Sequence, residues 1–185
     1  EVRAVGLGGG GSHVALQLAH LGVGNYVVAD EDFVEDTNLN RLVGATWDDV
    51  ANKCLKVDIA IRVIRGVMPN ARIQRVPTKW QLSAAQLKAC DVIIGGLDSI
   101  SAKDELDAFC KRFLIPYIDM GMDVHPLGEK YMISGQVILT SPGGPCLRCL
   151  GLVNDDILGD EVDRLSPERG LFPPGAQLVI RVRAD

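Results

Sequence analysis

Val2-Arg3-Ala4-Val5-Gly6-Leu7-Gly8-Gly9-Gly10-Gly11-Ser12 is the stretch whose reading decides the fold. A short apolar run ends in a glycine cluster, and the helical spacing of apolar residues begins immediately after it. Gly6, Gly8 and Gly11 satisfy G-x-G-x-x-G, with Gly9 and Gly10 adding to a turn that has almost no side chains. Such a turn lets backbone N–H groups and a helix N-terminus face phosphate oxygens. Ser12 is placed to cap the helix that follows. The acid that accepts hydrogen bonds from ribose hydroxyls is expected roughly 20 residues on, at the end of the second strand, where Asp30 stands. Strand, turn, helix, strand and acid together predict nucleotide binding, against the plainer reading of a turn that serves tight helix–sheet packing. They do not separate a dinucleotide from a mononucleotide.

Outward from this stretch, the apolar pattern alternates between strand-like runs and helical periodicity, as in βαβ units. Strands are expected over 2–7, 26–30, 72–76, 91–95, 116–122 and 130–140, with helices over 12–21, 54–66, 83–89 and 101–113. The segment 124–129 is too short for a crossover helix, so the last two of these strands form a hairpin. The predicted fold class is α/β: a Rossmann-like mixed, mostly parallel sheet flanked by helices, with a C-terminal antiparallel hairpin. Residues 1–150 are read as the nucleotide-binding domain. Residues 151–185, rich in Asp, Gly and Pro, are read as a mobile loop and a final strand at 177–183 of the same domain. The chain starts without Met and runs straight into a strand, which reads as an excerpt from a longer protein.

The net charge of −5, with no Lys/Arg cluster longer than a dipeptide, argues against nucleic acid or an anionic membrane as partner. No run approaches the roughly 18 apolar residues of a spanning helix, and the expected location is cytoplasmic. Five cysteines do not make a secreted disulfide framework. Only Cys146 and Cys149, in Pro145-Cys146-Leu147-Arg148-Cys149, have a meaningful spacing.

After Asp30 the chain reads Glu31-Asp32-Phe33-Val34-Glu35-Asp36-Thr37-Asn38-Leu39-Asn40-Arg41. Here it resembles the ThiF/MoeB/HesA family and the ubiquitin-activating enzymes, whose shared text is D-x-D-x-V followed by S/T-N-L-x-R. The resemblance covers residues 2–150 and implies ATP as the nucleotide, held by the glycine turn, Asp30, Asp32, Asn38 and Arg41. It implies a phosphate-binding lysine on the next helix, for which Lys56 fits better than Lys53. It also implies a D-x-x-D-N text after the fourth strand. In Val92-Ile93-Ile94-Gly95-Gly96-Leu97-Asp98-Ser99, Leu97 and Asp98 take the nucleotide-lining places, while Gly95 and Ser99 depart from the family residues. Asp98 is the expected Mg²⁺ ligand, one carboxylate sufficing beside phosphate oxygens and waters.

By this resemblance, a substrate carboxylate attacks the α-phosphorus of ATP to give an acyl-adenylate and pyrophosphate. Arg41, Lys56 and Asp98 carry the charge stabilisation. The implied partner is the C-terminal Gly of a ubiquitin-like or sulfur-carrier protein, or a peptide, and the chain is expected to form a homodimer. Two alternatives stand beside it: an NAD-binding oxidoreductase, resting on the glycine turn and Asp30 alone, and a non-catalytic partner-binding member of the same fold. Family members also carry zinc on two C-x-x-C pairs. Cys146 and Cys149 match the first pair, the second is not in this sequence, and His125 is the conceivable third ligand. Cys54, Cys90, Cys110, Trp47 and Trp80 read as packing residues, and Asp119 and Asp123 as turn or substrate-contacting groups.

Overall fold

A computed structural model describes residues 2–127, 130–164 and 176–182. The strands are β1 (Val2–Val5), β2 (Asn25–Ala29), β3 (Arg72–Val76), β4 (Val92–Gly95), β5 (Tyr117–Leu127), β6 (Lys130–Thr140) and β7 (Ala176–Val182). The helices are α1 (Gly9–His20), α2 (Trp47–Ala51), α3 (Lys56–Val67), α4 (Ala84–Leu87), α5 (Ile100–Arg112) and α6 (Asp155–Arg164). They frame one sheet of order β3-β2-β1-β4-β5-β6-β7. Strands β3 through β5 run parallel, and the β5–β6 pair is antiparallel, with Tyr117 opposite Thr140. The expected fold class stands.

The near-continuous apolar text of the central strands follows from burial on both faces. In β1, Ala4 joins the core under α1 and α3, with Leu7, Ala15, Tyr26, Val28, Val57 and Ile64. Val5 turns the other way, to a core with Val27, Trp80, Ile93, Leu106, Cys110, Tyr117 and Leu147. Burying both faces of the short strand β2 leaves only Asn25 exposed.

Several local readings change. Helix α1 starts at Gly9, with Gly8 as its extended N-cap (φ −66°, ψ −155°) and no side-chain cap. Ser12 therefore lies inside the helix; it is buried, its hydroxyl donates to the Gly9 carbonyl and it accepts from the Val43 amide. The expected helix over 83–89 is a 3-10 turn at Trp80–Ser83 followed by the single turn α4. Strand β5 continues through Leu127, because antiparallel pairing with β6 satisfies its backbone residue by residue. Beyond Cys149, where loop was expected, Asp155–Arg164 is helical, with Asp155 and Asp156 favourably placed at the positive end of its dipole. Trp47, expected in the core, is the first residue of α2 and is 70% exposed, whereas Trp80 is buried as expected. No helix among the described residues is long and apolar enough to cross a membrane.

Candidate functional site

A cavity of about 350 Å³ opens at the carboxyl ends of β1 to β4, where the strand order reverses between β1 and β4. Crevices of open α/β sheets form at such a switch point. Of the residues singled out from the sequence, Gly6, Gly8, Asp30, Asp32, Lys56, Leu97 and Asp98 line it. Thr78, Lys79, Trp80 and Gln81, from the segment after β3, complete the wall with Ser99 and Ala102. Sequence reasoning missed this last group, because a 3-10 turn leaves no periodic signal.

The glycines divide by role. A Cβ at Gly11 would collide with the Gly6 carbonyl oxygen, and one at Gly6, whose φ is +79°, would sit 2.7 Å from the Gly96 carbonyl oxygen. These three glycines let the turns after β1 and β4 press together, which is packing. Gly8 is different, since a Cβ there meets nothing within 4 Å; its open side belongs to the cavity. A Cβ at Gly9 would meet the Arg41 stem at 3.2 Å, and one at Gly10 the Met120 methyl at 3.9 Å.

Asp30 ties the turn to the sheet. Its Oδ2 accepts from the Leu7 amide at 2.6 Å and its Oδ1 from the Asp32 amide at 2.9 Å. Burial pushes its carboxyl above the usual range, while those amides and the nearby Lys56 charge pull it back. Lys56 opens α3; its amide donates to the Asp32 carbonyl and its Nζ lies 2.7 Å from Asp32 Oδ2. The Lys56 side chain is only 14% exposed, so its ammonium is held at the cavity wall. Ser99, not Asp98, caps α5 by accepting from the Ala102 amide, which leaves the Asp98 side chain without that local duty.

Asn38 and Arg41 are not among the residues that line the cavity. Asn38 is buried and its Oδ1 accepts from the Glu35 amide, closing the 3-10 turn Asp36–Asn38. That turn aims Arg41 at α1: its stem rests on Gly9 while Nη1 donates to the Thr37 carbonyl (2.6 Å) and Asn40 Oδ1 (3.1 Å). Arg41 lines a small cleft with His13 next to the glycine turn. The Arg41 stem thus stands at the N-terminus of α1, where the dipole already favours an anion, while its guanidinium turns back to Thr37 and Asn40.

Beneath the site, Lys103 Nζ pairs with Asp119 Oδ2 at 3.1 Å and donates to the Met120 carbonyl at 2.8 Å, and Tyr117 donates to Asp119 Oδ1 at 2.8 Å. Asp119 is 2% exposed, so its role is this buried pair, not substrate contact. The Tyr117 hydroxyl occupies the space a side chain at Gly95 would need, which accounts for glycine there. The side chain of Asp123 lies outside the described residues.

Cys146 and Cys149 are remote from the cavity, in a turn held to the end of α5. Lys111 Nζ donates to the carbonyls of Ser141, Gly144 and Pro145, and the buried Asp107 accepts from the Leu147 amide and Thr140 hydroxyl. The two sulfurs are 3.2 Å apart and the Cys149 amide donates to Cys146 Sγ at 3.4 Å. A tetrahedral zinc with bonds of about 2.3 Å separates sulfurs by roughly 3.8 Å, so this pair fits half a site after slight opening. Among the described residues no group of three or more His, Cys, Asp or Glu is arranged so that it could hold a metal ion. The register puts His125 opposite Met132, eight residues along β5 from Tyr117, whereas the cysteines follow Thr140, Tyr117's partner. The side chain of His125 lies outside the described residues. Of the other cysteines, Cys90 and Cys110 are buried and Cys54 partly so.

The ThiF family profile matches residues 1–178. The chain is 32% identical over 152 residues to the SAMP-activating enzyme E1 of Haloferax volcanii, covering 81% of this chain and 53% of that protein. It is 29% identical over 156 residues to the sulfur carrier protein ThiS adenylyltransferase of Escherichia coli, covering 81% of this chain and 57% of the relative. It therefore spans about half the length of the curated relatives it matches. The fold matches a crystal structure of E. coli MccB with AMPCPP and MccA at a TM-score of 0.70 and 23% identity, covering 91% of this chain and 48% of that one. With the matched profile running through nearly the whole sequence, the chain belongs to the ThiF family.

Proposed function

We propose that the protein is an ATP-dependent adenylyltransferase that activates the C-terminal carboxylate of a ubiquitin-like or sulfur-carrier protein, or of a peptide. One observation carries the reading: four separate segments bring an open glycine amide edge at Gly8, the acids Asp30 and Asp32, the ammonium of Lys56 and the carboxylate of Asp98 to one cavity. An NAD enzyme requires only the first two. Relatives named as a SAMP-activating enzyme and a ThiS adenylyltransferase support the substrate class, and an E. coli MccB structure with AMPCPP supports the nucleotide.

Asp30 takes the ribose, its raised proton affinity relieved once hydroxyl donors replace water. The N-terminal amides of α1, Lys56 and Arg41 take the phosphates. An attacking carboxylate is already ionised near neutral pH, so no general base is needed. Its oxygen forms a bond to the α-phosphorus as the bond to the β-phosphate bridging oxygen breaks, and pyrophosphate leaves. Negative charge spreads over the phosphoryl oxygens, where Lys56 and Arg41 oppose it. Asp98 is an oxygen donor of the kind Mg²⁺ prefers, and bound Mg²⁺ would offset triphosphate charge. The acyl partner approaches over the β5–β6 face, where Met122, Val137 and Leu139 are exposed and the Met120 methyl faces Gly10. The protein would pair as a homodimer through a surface that leaves this face open, and zinc would take Cys146 and Cys149 as two of its four ligands.

ATP–pyrophosphate exchange on the intact protein with Mg²⁺ and Gly-terminated partners tests the reading. Arg41→Ala and Lys56→Ala should each lower exchange about tenfold or more, the value of a charge-assisted phosphate contact. Unchanged exchange rejects those roles, and tight ATP binding with no exchange for any partner supports the non-catalytic alternative.

A further inference from the structure

Across the sheet from β1 to β2 to β3, the cavity wall passes from Gly8 to Asp30 and then to Thr78–Gln81. A nucleotide with its phosphates at the first and its ribose at the second leaves its base at the third. The wall there is apolar at Trp80, Leu97 and Ala102 and polar at Gln81. Gln81 Nε2 donates to Glu105 Oε2 at 2.7 Å. A carboxylate only accepts, so Glu105 fixes which end of the amide it meets, and the carbonyl Oε1 must turn the other way. Glu105 sits on α5 three residues after Ala102, on the same side of the helix as that wall residue. Adenine carries a 6-amino donor at the edge where guanine carries a carbonyl acceptor. An amide locked to present its oxygen satisfies the first and opposes the second.

We propose that Glu105 orients the Gln81 amide so that its Oε1 accepts from the 6-amino group of adenine, making Gln81 a base-specificity residue and Glu105 its positioning residue. The proposal rests on the nucleotide reading above and deepens it. A base lying against Trp80 and Leu97 shields the Gln81–Glu105 bond from water, which strengthens it in the bound state.

Calorimetric titration of the intact protein with Mg²⁺ and three nucleotides tests it: ATP, purine riboside triphosphate, which lacks the amino group, and GTP. Wild type should bind ATP roughly three- to tenfold more tightly than purine riboside triphosphate, the yield of one net hydrogen bond, and GTP more weakly still. Gln81→Ala should bring ATP and purine riboside triphosphate within twofold of each other. Glu105→Ala should do the same and narrow the gap to GTP, because the freed amide can flip. Glu105→Gln should also erode the preference, since an amide donates as well as accepts and no longer fixes which end of Gln81 it meets. A structural role alone would shift all three affinities together and leave the ratios intact. Retained ATP preference in Gln81→Ala overturns the proposal, and retained preference in Glu105→Ala alone overturns the positioning role. Wild type binding all three alike sinks this inference only, whereas wild type binding none sinks the nucleotide site with it.

Discussion

Alanine placed at two glycines of the same turn should have opposite consequences. At Gly11 the new methyl meets the Gly6 carbonyl oxygen, a backbone atom that cannot rotate away, so the β1 and α1 backbones must part. Overpacking of this kind costs about 1–3 kcal/mol. For a domain of this size each kcal/mol lowers Tm by about 2–4 °C, which gives a drop of about 2–12 °C. At Gly8 the methyl meets no atom within 4 Å and the backbone is already extended, so the ligand-free melt should stay within about 2 °C of wild type. That methyl, however, projects where a phosphate oxygen must come to reach the helix amides. Loss of one charge-assisted hydrogen bond costs about 1.5–3 kcal/mol, or roughly 10- to 150-fold in ATP affinity. Thermal melts without nucleotide, paired with calorimetric titration of ATP and Mg²⁺, read both quantities. Gly8→Ala binding ATP like wild type, or Gly11→Ala melting like wild type, would refute the division of the turn into a packing half and a ligand half.

Lys103→Met strands the Asp119 carboxylate in the core, and breaking a buried pair in this way should cost about 3–5 kcal/mol; the Lys103→Met/Asp119→Asn double variant should recover part of the loss, and simple additivity in denaturant melts would count against the pair. The Arg62 guanidinium, bidentate on Asp49, holds that carboxyl well below its ordinary range, with Thr46 assisting. A lowered carboxyl stabilises the fold above the unfolded pKa and loses that contribution as pH falls through the folded one. Asp49→Asn should therefore be less stable than wild type at neutral pH, with the gap closing on strong acidification; a gap independent of pH would dismiss the linkage. Hydrogen bonding with Cys146 lowers the exposed Cys149 thiol, whereas burial pushes Cys110 up to about 12. Alkylation followed by peptide mapping should find Cys149 modified first and Cys110 only on unfolding.

The fold was legible because its strands are buried on both faces, so Val2–Val5, Asn25–Ala29 and Val92–Gly95 read as short apolar runs whatever their neighbours. Of the cavity residues, Gly8 and Asp30 were legible because each follows closely on a strand end, whereas Asp32, Lys56 and Asp98 were legible through the family text they match. Elements of three to five residues, such as Asp36–Asn38 and Trp47–Ala51, escaped because they complete barely one turn and set up no period. Ser12 misled because a hydroxyl just after a glycine turn looks the same whether it caps a helix or bonds back inside one. Lys103, Asp107 and Asp119 went unread as a group because partners on α5, β5 and the cysteine turn meet only once the chain is folded. Their trace in the sequence was faint: Lys103, Asp107 and Lys111 recur every fourth residue.

That recurrence makes α5 a ruler. Ser99 fixes its start beside Asp98, and Lys103, Asp107 and Lys111 grip, in turn, the start of β5, the start of the cysteine turn and its three carbonyls. From Ser99 to Lys111 the helix advances about 18 Å at 1.5 Å per residue. Deleting or inserting one residue between Ser99 and Lys103 would swing all three anchors by about 100° and detach them from their partners at once. Descendants of this sequence can therefore vary the loops at either end freely, but the span between nucleotide and cysteine pair can change only in whole helical turns.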